Sequence, residues 1–260
     1  MDENKCRNCG NEVIGQYCHN CGQKRDVQKL AWRSLFEELQ KRWLGFDNNF
    51  ARTLKDLTIA PKKVVTATID GIRVRYIGPI GYYFLMVTLF VLAISFLDVD
   101  MNEMSKEIAS LMSSAETPEQ EALQLEINKK IYGNFRLFSF MLMPFFILAT
   151  WIIFKNKKYN LLETSVVNFY GQGHPLILSI IALVGYKYFD MVDAQLYIAP
   201  ISYFYFAFVC ASFYKGNGVW NFVKGLLSLI LGFIIFFIVV MVVMFIYLIL
   251  NPELAKSLTT

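Results

Sequence analysis

Charged residues are scarce in this chain, and long polar stretches are missing from its second half. Asp, Glu, Lys and Arg make up 18% of the 260 residues, whereas apolar residues make up 55%. Soluble domains usually contain about 25% charged and about 45–50% apolar residues. The apolar excess falls in runs near the roughly 20 residues that a membrane-spanning helix needs, and a soluble core has no use for such runs. The composition therefore excludes an ordinary soluble domain.

The first 29 residues also lack the apolar core of a secretion signal. A cleaved signal peptide needs about 7 to 15 consecutive apolar residues. We therefore expect the first apolar run to act as an uncleaved anchor. Residues 1–76 are basic, with 14 Lys and Arg against 9 Asp and Glu. A basic head before an apolar body suits a cytoplasmic face opposed to anionic lipid. The interleaved acids argue against nucleic acid as a partner.

Cysteines are few, but four of the five fall within the first 21 residues. They form two copies of a CxxCG knuckle, with the thiols Cys6, Cys9, Cys18 and Cys21. Two intervening residues let one tight turn present both sulfurs to one metal, and the glycine can adopt the positive φ of that turn. Four thiolates in tetrahedral array form a closed structural zinc site. We predict a zinc ribbon over residues 1–24 that binds Zn²⁺. Iron is the alternative metal, and His19 is not expected to be a ligand.

Residues 25–76 are expected to form cytosolic amphipathic or interfacial helices. Within 26–44, large apolar side chains recur on one helical face: Trp32, Leu35, Phe36, Leu39 and Trp43. Such a helix either lies in the headgroup region or packs on the protein's own cytosolic surface. We expect a second short helix after Asp47, ended or redirected by Pro61.

Five apolar runs predict an all-α membrane helix bundle over residues 77–250. We place its five transmembrane helices at 77–97, 135–154, 162–184, 195–214 and 225–250. The third is the least certain, because polar side chains interrupt it. Arg73 and Arg75 precede the first span, where they are expected to anchor its end at the interface. Ser228 and Gly232 give the fifth helix a small-residue face that serves packing within the chain or a homo-oligomer.

The charges of the loops predict the orientation. The loops 155–160 and 215–224 are rich in lysine, whereas 98–134 and 185–194 are acidic. The positive-inside rule therefore puts the N-terminus in the cytoplasm and the C-terminal tail, 251–260, outside. The 98–134 loop, which carries an apolar helical face, is expected to be an extracytoplasmic helical hairpin.

Short motifs flank the cysteine module and the first span. CRNCGNEVIGQYCHNCGQK is followed by a TLxxLxxxP motif from Thr53 to Pro61 and a GxRxxYxxP motif from Gly71 to Pro79. With the later segment NLLETSVVNFYGQGHP, these resemble an uncharacterised bacterial membrane family called domain of unknown function 3667. The resemblance implies an N-terminal zinc ribbon and several spans in the bacterial cytoplasmic (inner) membrane. It implies no activity.

Polar residues inside the spans are candidates for an intramembrane site. They are Glu163, Asn168, Gln172 and His174, all in the third span. Glu163 has a second interpretation, because with Asn160 it fits a helix capping box. His174 lies near the membrane midplane, and Pro175 predicts a break there because it cannot donate a backbone hydrogen bond. Cys210 is expected to be a small apolar filler.

No recognisable catalytic motif is present: GxSxG, HExxH and a Walker loop are all missing. We therefore predict that the protein is not an enzyme. The leading hypothesis is an adaptor, regulator or assembly factor whose cytosolic zinc ribbon engages a cytosolic or membrane protein partner. The alternative is a transporter or channel component with a polar site at the broken third helix. An enzyme acting on lipid would have only His174 and Glu163 to use.

Overall fold

Ten α-helices account for most of the residues that the computed structural model describes, which are 5–25, 49–111, 118–155 and 158–250. Within those ranges the ribbon has two isolated β-bridges and the chain forms no longer strand. The predicted amphipathic helix at 26–44 and the tail 251–260 lie outside the described residues. The described chain confirms an all-α membrane helix bundle with a small cysteine-rich module at its N-terminus.

Five helical segments are long and apolar enough to cross a membrane. In chain order the helices that form them are α3 (Pro79–Phe96), α6 (Phe135–Ile153), α7 (Leu161–Gly173) with α8 (Leu176–Phe189), α9 (Ala194–Phe213) and α10 (Gly218–Leu250). Two of these helical segments extend beyond the apolar runs that the sequence indicates. The third segment continues to Phe189, beyond residue 184, and the fifth helix begins at Gly218, before residue 225. In both cases the helix includes polar residues that lie beyond the end of the apolar run.

Helix α7 is the centre of the bundle, and its middle residues are buried without interruption from Thr164 to Gly171. It packs against α3, α6 and α9. From the sequence alone, this span was the least certain of the five, because polar residues interrupt it. Asn168 and His174 lie inside protein and contact polar groups of neighbouring helices, whereas Gln172 is half-buried and bonds Asn168 of the same helix.

Two short helices precede the first span: α1 (Asn49–Ile59) and α2 (Pro61–Ile69). Pro61 occupies the first position of α2, where its missing N–H costs no hydrogen bond. The side chains of Leu57, Val64 and Val65 are fully buried in the main apolar core. Helix α2 packs on α7 and α9, so the α1–α2 pair belongs to the bundle.

Gly71 ends helix α2 with a left-handed residue, at φ +84°. The N–H of Ile72 donates to the carbonyl of Ala67 at 2.8 Å, which is the six-to-one bond of a Schellman cap. A side chain at position 71 would strain this turn. The glycine of the GxRxxYxxP motif therefore has a backbone role, as does Pro79, which opens α3.

The segment 98–134 contains α4 (Met101–Leu111) and α5 (Pro118–Gly133). The amide of Asn128 donates to the hydroxyl of Ser105 at 2.9 Å and links the two helices. Met101 and Met104 are buried in an apolar cluster with Phe90 of α3. The pair therefore packs back onto the bundle through its methionine face.

The small residues of α10 face the interior of the bundle. Ser228 is fully buried. A Cβ added at Gly225 would lie 2.8 Å from the Cα of Ala207 in α9, and one at Gly232 would overlap the ring of Phe146 in α6. This face therefore serves packing within the chain. Beyond Phe237, most of the side chains of α10 are exposed.

Candidate metal centre and polar sites of the bundle

The two cysteine knuckles have the same backbone structure. In the first, the N–H of Cys6 donates to the carbonyl of Asn11, and the N–H of Gly10 donates to the carbonyl of Cys6. The second repeats both bonds twelve residues later, from Cys18 to Gln23 and from Gly22 to Cys18. The two knuckle glycines have φ of +78° and +70°, as the predicted turns require. The repeated sequence is therefore a repeated structure.

The knuckles bring the four thiols together. The sulfurs of Cys6 and Cys21 are 3.5 Å apart, as are those of Cys9 and Cys18, and all four lie within 4.8 Å of one another. A zinc–sulfur bond of about 2.3 Å places tetrahedral sulfurs about 3.8 Å apart. The site could therefore hold one metal ion of zinc's size and thiolate preference. His19 is exposed and is not part of the group.

The thiols differ in their local environment. A hydrogen bond from the backbone of Asn11, the largest effect on this group, lowers the pKa of Cys9 to about 6. Burial raises the pKa of Cys21 to about 11. Metal binding requires thiolates, so an ion that binds here would displace the proton from Cys21. The described part of the ribbon has a very small apolar core, which consists of Val13 and cysteines. Metal bonds would therefore supply much of its folding free energy.

The ribbon also carries two exposed apolar side chains between its knuckles. Ile14 is 88% exposed and Tyr17 is 59% exposed. Gln23, after the second knuckle, is instead 3% exposed. Its side-chain amide donates to the carbonyl of Gly71 at 2.8 Å. One side of the ribbon therefore rests on the turn after α2, and the Ile14 and Tyr17 side chains stay open.

Glu163 forms the capping box at the start of α7. Its N–H donates to the side-chain oxygen of Asn160 at 2.8 Å, and its carboxylate accepts from the N–H of Asn160 at 2.9 Å. Glu163 and His174 are eleven residues apart, or about 16 Å along the helical rise. The structure therefore does not bring Glu163 into one site with the histidine.

Asn168 and Gln172 join a buried polar cluster between α6, α7 and α10. The Asn168 carbonyl oxygen accepts from the amide of Gln172 at 3.1 Å and lies 3.3 Å from the hydroxyl of Thr150. The Thr150 hydroxyl is 3.4 Å from that of Ser228. Asn168 and Ser228 are fully buried. This cluster satisfies polar groups at the helix contacts, and His174 is not among its hydrogen-bond partners.

Gln172 also lines a cavity of about 260 Å³. The other walls are mostly aromatic and apolar, and they come from α3, α5 and α6: Tyr83, Asn128, Ile131, Tyr132, Phe135, Phe138, Ser139, Leu142 and Phe146. The cavity is therefore mainly apolar, with the amide of Gln172 as one of its few polar groups.

His174 lies at the junction of α7 and α8 and is 7% exposed. Its Nδ1 is 2.7 Å from the hydroxyl of Tyr82 in α3, and its Nε2 is 3.0 Å from the hydroxyl of Thr58 in α1. The ring centroid of Tyr205 in α9 lies 5.1 Å away. His174 and Pro175 keep right-handed helical backbone angles. The predicted break is therefore a local interruption, and the histidine faces protein.

One assignment of the hydrogen-bond directions satisfies both nitrogens of the histidine ring. The Thr58 hydroxyl donates to the carbonyl of Leu54 at 3.0 Å, so its oxygen is left to accept from Nε2–H of His174. Nδ1 then accepts from the O–H of Tyr82. The imidazole is neutral in this assignment, with both of its ring nitrogens hydrogen-bonded. It holds α1 against α3 and α7.

A second contact holds the two sequence motifs together. The Tyr76 hydroxyl donates to a carboxylate oxygen of Asp56 at 2.6 Å, and the ammonium of Lys63 lies 3.1 Å from the same oxygen. The hydrogen bond from Tyr76 is the largest of the effects that lower the pKa of Asp56, and burial raises the pKa of Tyr76 to about 12. The hydroxyl of Thr53 accepts from the N–H of Ile77. Motif residues therefore fasten α1 to the start of α3.

Several residues of these sites were missed from the sequence. The sequence around Thr58, Tyr82 and Asp56 does not indicate their roles. Their hydrogen-bond partners lie 116, 92 and 20 residues away. A histidine in an apolar span requires a polar partner. That rule indicates that a partner exists and does not say which tyrosine supplies it. Cys210, by contrast, is fully buried in the apolar core, where a filler is expected.

The fold and these sites define a multi-pass helical membrane protein with an N-terminal four-cysteine module. The family model described as "Protein of unknown function (DUF3667)" matches residues 47–91, and the chain resembles this family. The matched segment contains α1, α2 and most of α3, and therefore Thr58, Tyr76 and Tyr82. No curated protein and no solved structure matches the chain.

Proposed function

We propose that the protein is a non-enzymatic membrane adaptor, regulator or assembly factor whose ribbon binds a protein partner. The observation that carries this proposal is the exposure of Ile14 and Tyr17 on the loop between the knuckles. Aromatic side chains are enriched at protein interfaces, and two exposed apolar side chains offer more contact than a single one. A closed four-thiolate site has no open position for a substrate, so its role is structural.

The proposal includes Zn²⁺ as the metal and a cytoplasmic ribbon. Four thiolates are typical of structural zinc sites, and the lysine-rich loops favour a cytoplasmic N-terminus in a bacterial inner membrane. The partner would then be a cytosolic protein or the cytosolic part of another membrane protein. A homo-oligomer is compatible with the exposed apolar end of α10.

Site-specific photocrosslinking in cells tests this proposal. A photoreactive residue at Ile14 or Tyr17 is expected to capture one distinct protein, and the same group at the exposed His19 is the matched control. The capture should disappear when Cys18→Ser is added. Equal capture from all three positions, or the same capture after loss of the knuckle, would contradict a specific partner surface.

The second candidate is a transporter or channel component. The observation in its favour is the cavity beside Gln172. The other polar residues proposed for this role, Asn168 and His174, do not line this cavity. A solute-flux assay in proteoliposomes with Gln172→Leu and the control Ser202→Ala tests it. Flux that is lost only with the Gln172 variant would favour transport over the adaptor.

A further inference from the structure

Gln23 is a buried amide in a module that has almost no core of its own. Gln23 is only 3% exposed. The apolar core of the described ribbon consists of Val13 and cysteines, which is a small core to bury such a side chain. The cover comes from outside the ribbon, because the Gln23 amide nitrogen donates to the carbonyl of Gly71 across 48 residues of sequence. This bond joins the cysteine module directly to the turn that precedes the first span.

The knuckle fixes the position of Gln23. Its backbone carbonyl accepts from the N–H of Cys18 at 2.8 Å, and Gly22 makes the left-handed turn just before it. In the first knuckle the same position is held by Asn11, which is exposed. The side chain that reaches the bundle is therefore set by the fold of the second knuckle, and that fold depends on the metal.

The receiving turn leads into the bundle. Gly71 is the left-handed cap of α2, and the following residues lead to Tyr76, which bonds Asp56 of α1. Two residues beyond Asp56, Thr58 bonds His174 at the junction of α7 and α8. A chain of named contacts thus runs from the second knuckle to the centre of the bundle.

We propose that the ribbon is a metal-dependent clamp on the turn at residues 70–76, and that Gln23 is the residue that closes it. With metal bound, the knuckle holds the Gln23 amide on the Gly71 carbonyl and the ribbon covers the turn. Without metal, the knuckle opens and the turn is uncovered. The inference rests on metal binding by the four cysteines. It does not depend on the identity of any partner.

Gln23→Glu is the sharpest variant. It keeps the size of the side chain, removes both amide donors, and puts a carboxylate where the present side-chain oxygen is buried with no hydrogen-bond partner among the described residues. A charge without a partner is strongly disfavoured there. The substituted side chain should therefore move away from the turn, while the four thiols remain in place. Gln16→Glu, at an exposed position of the same module, is the matched control.

Limited trypsin digestion of the full-length protein in detergent measures the clamp. Cleavage after the half-buried Arg73 and Arg75 reports exposure of the turn, and cleavage after the exposed Lys215 is the internal reference. Metal content is measured on each sample. Chelation of the wild type should speed cleavage at the turn by about fivefold or more, the factor expected for loss of one hydrogen bond, and reloading with zinc should reverse it.

Metal-loaded Gln23→Glu should be cleaved like the chelated wild type, and Gln16→Glu like the loaded wild type. Protection that survives chelation, or a metal-loaded Gln23→Glu with full protection, would overturn the clamp. If Gln23→Glu holds no metal, the chelated and reloaded wild type decide the question. A wild type that never contains metal would instead remove the metal site on which the clamp rests.

Discussion

Single side chains connect the segment before the first span to the bundle. Tyr76 donates to Asp56, Thr53 accepts from Ile77, and Thr58 bonds His174. Each of these contacts joins residues that are 20 or more positions apart, so each one restrains the position of α1. They give a structural role to Thr53 and Tyr76, which are polar residues at fixed positions of the two short motifs.

Replacing Tyr76 by Phe should destabilise the protein by about 1.5–3 kcal/mol, since a hydrogen bond to a charged acceptor is lost. The pKa of Asp56 is held below its ordinary value of 3.8, chiefly by this hydrogen bond. A lowered carboxyl pKa adds stability above the ordinary value, and that stability is lost as the pH falls below it. The cost of Tyr76→Phe should therefore be equal at pH 7 and pH 5.5 and should shrink near pH 3.

Thermal unfolding in detergent at the three pH values checks this prediction. Tyr188→Phe is the matched control, because Tyr188 is 69% exposed, and its cost should be close to zero at every pH. A cost of Tyr76→Phe that fades between pH 7 and pH 5.5 would mean that Asp56 is not held in its ionised form.

His174→Leu should destabilise the bundle by about 1–3 kcal/mol, because the hydroxyls of Tyr82 and Thr58 lose their partner. Tyr82→Phe should then cost much less in the His174→Leu background than in the wild type. A double-mutant cycle by thermal unfolding measures this coupling. Additive costs would show that the histidine and the tyrosine are not joined in the folded protein.

Helix packing depends on small residues at defined contacts. Gly232 lies against the ring of Phe146, and Gly225 lies against Ala207. These positions bring α10 close to α6 and α9. The sequence predicted a small-residue face here but left its partner open, because the same pattern suits contact within one chain or between two chains.

Gly232→Ala should destabilise the bundle by about 1–3 kcal/mol, because the new Cβ overlaps the ring of Phe146 and forces α10 away from α6. Gly218→Ala, where an added Cβ meets no atom within 4 Å, is the matched control. It should be neutral or slightly stabilising, because alanine favours helix. Unfolding in detergent compares the two, and equal effects would argue against this packing.

The existence of the five spans was predictable because about 20 consecutive apolar residues leave few alternatives. Their ends were less predictable, and α10 shows why. Its first turns contain Asn221 and Lys224, which end an apolar run. Asn221 is buried and donates to the carbonyl of Tyr214, and the Lys224 ammonium lies over the rings of Phe154 and Trp220. Tertiary partners thus let the helix begin earlier than the apolar run.

In the whole molecule, the α1–α2 pair is the part that sequence patterns could least place. Its helices were expected on the cytosolic side, and the fold packs them on α7 and α9 of the bundle. Contacts such as Thr68 with Tyr170 join residues 102 positions apart. No periodicity within either helix encodes such a pairing. The cysteine site is the opposite case, because CxxCG repeats encode the local turn and the metal ligands together.

The orientation of the molecule can be tested by labelling in intact cells. Ser110→Cys in α4 should react with an impermeant maleimide from outside. Asn217→Cys, in the lysine-rich loop before α10, should react only after permeabilisation. The reason is the excess of lysine in the loops on one side of the bundle. The reverse pattern would place the ribbon outside the cytoplasm and overturn the proposed location of its partner.

The central claim is that the four N-terminal thiols form one metal site that organises the ribbon. Elemental analysis of the purified full-length protein, and of its Cys18→Ser and Cys210→Ser variants, tests it most directly. We predict one zinc per chain in the wild type and in Cys210→Ser, because Cys210 lies in the apolar core away from the knuckles. Cys18→Ser should lose most of the metal. A wild type without metal, or undiminished zinc in Cys18→Ser, would contradict the account.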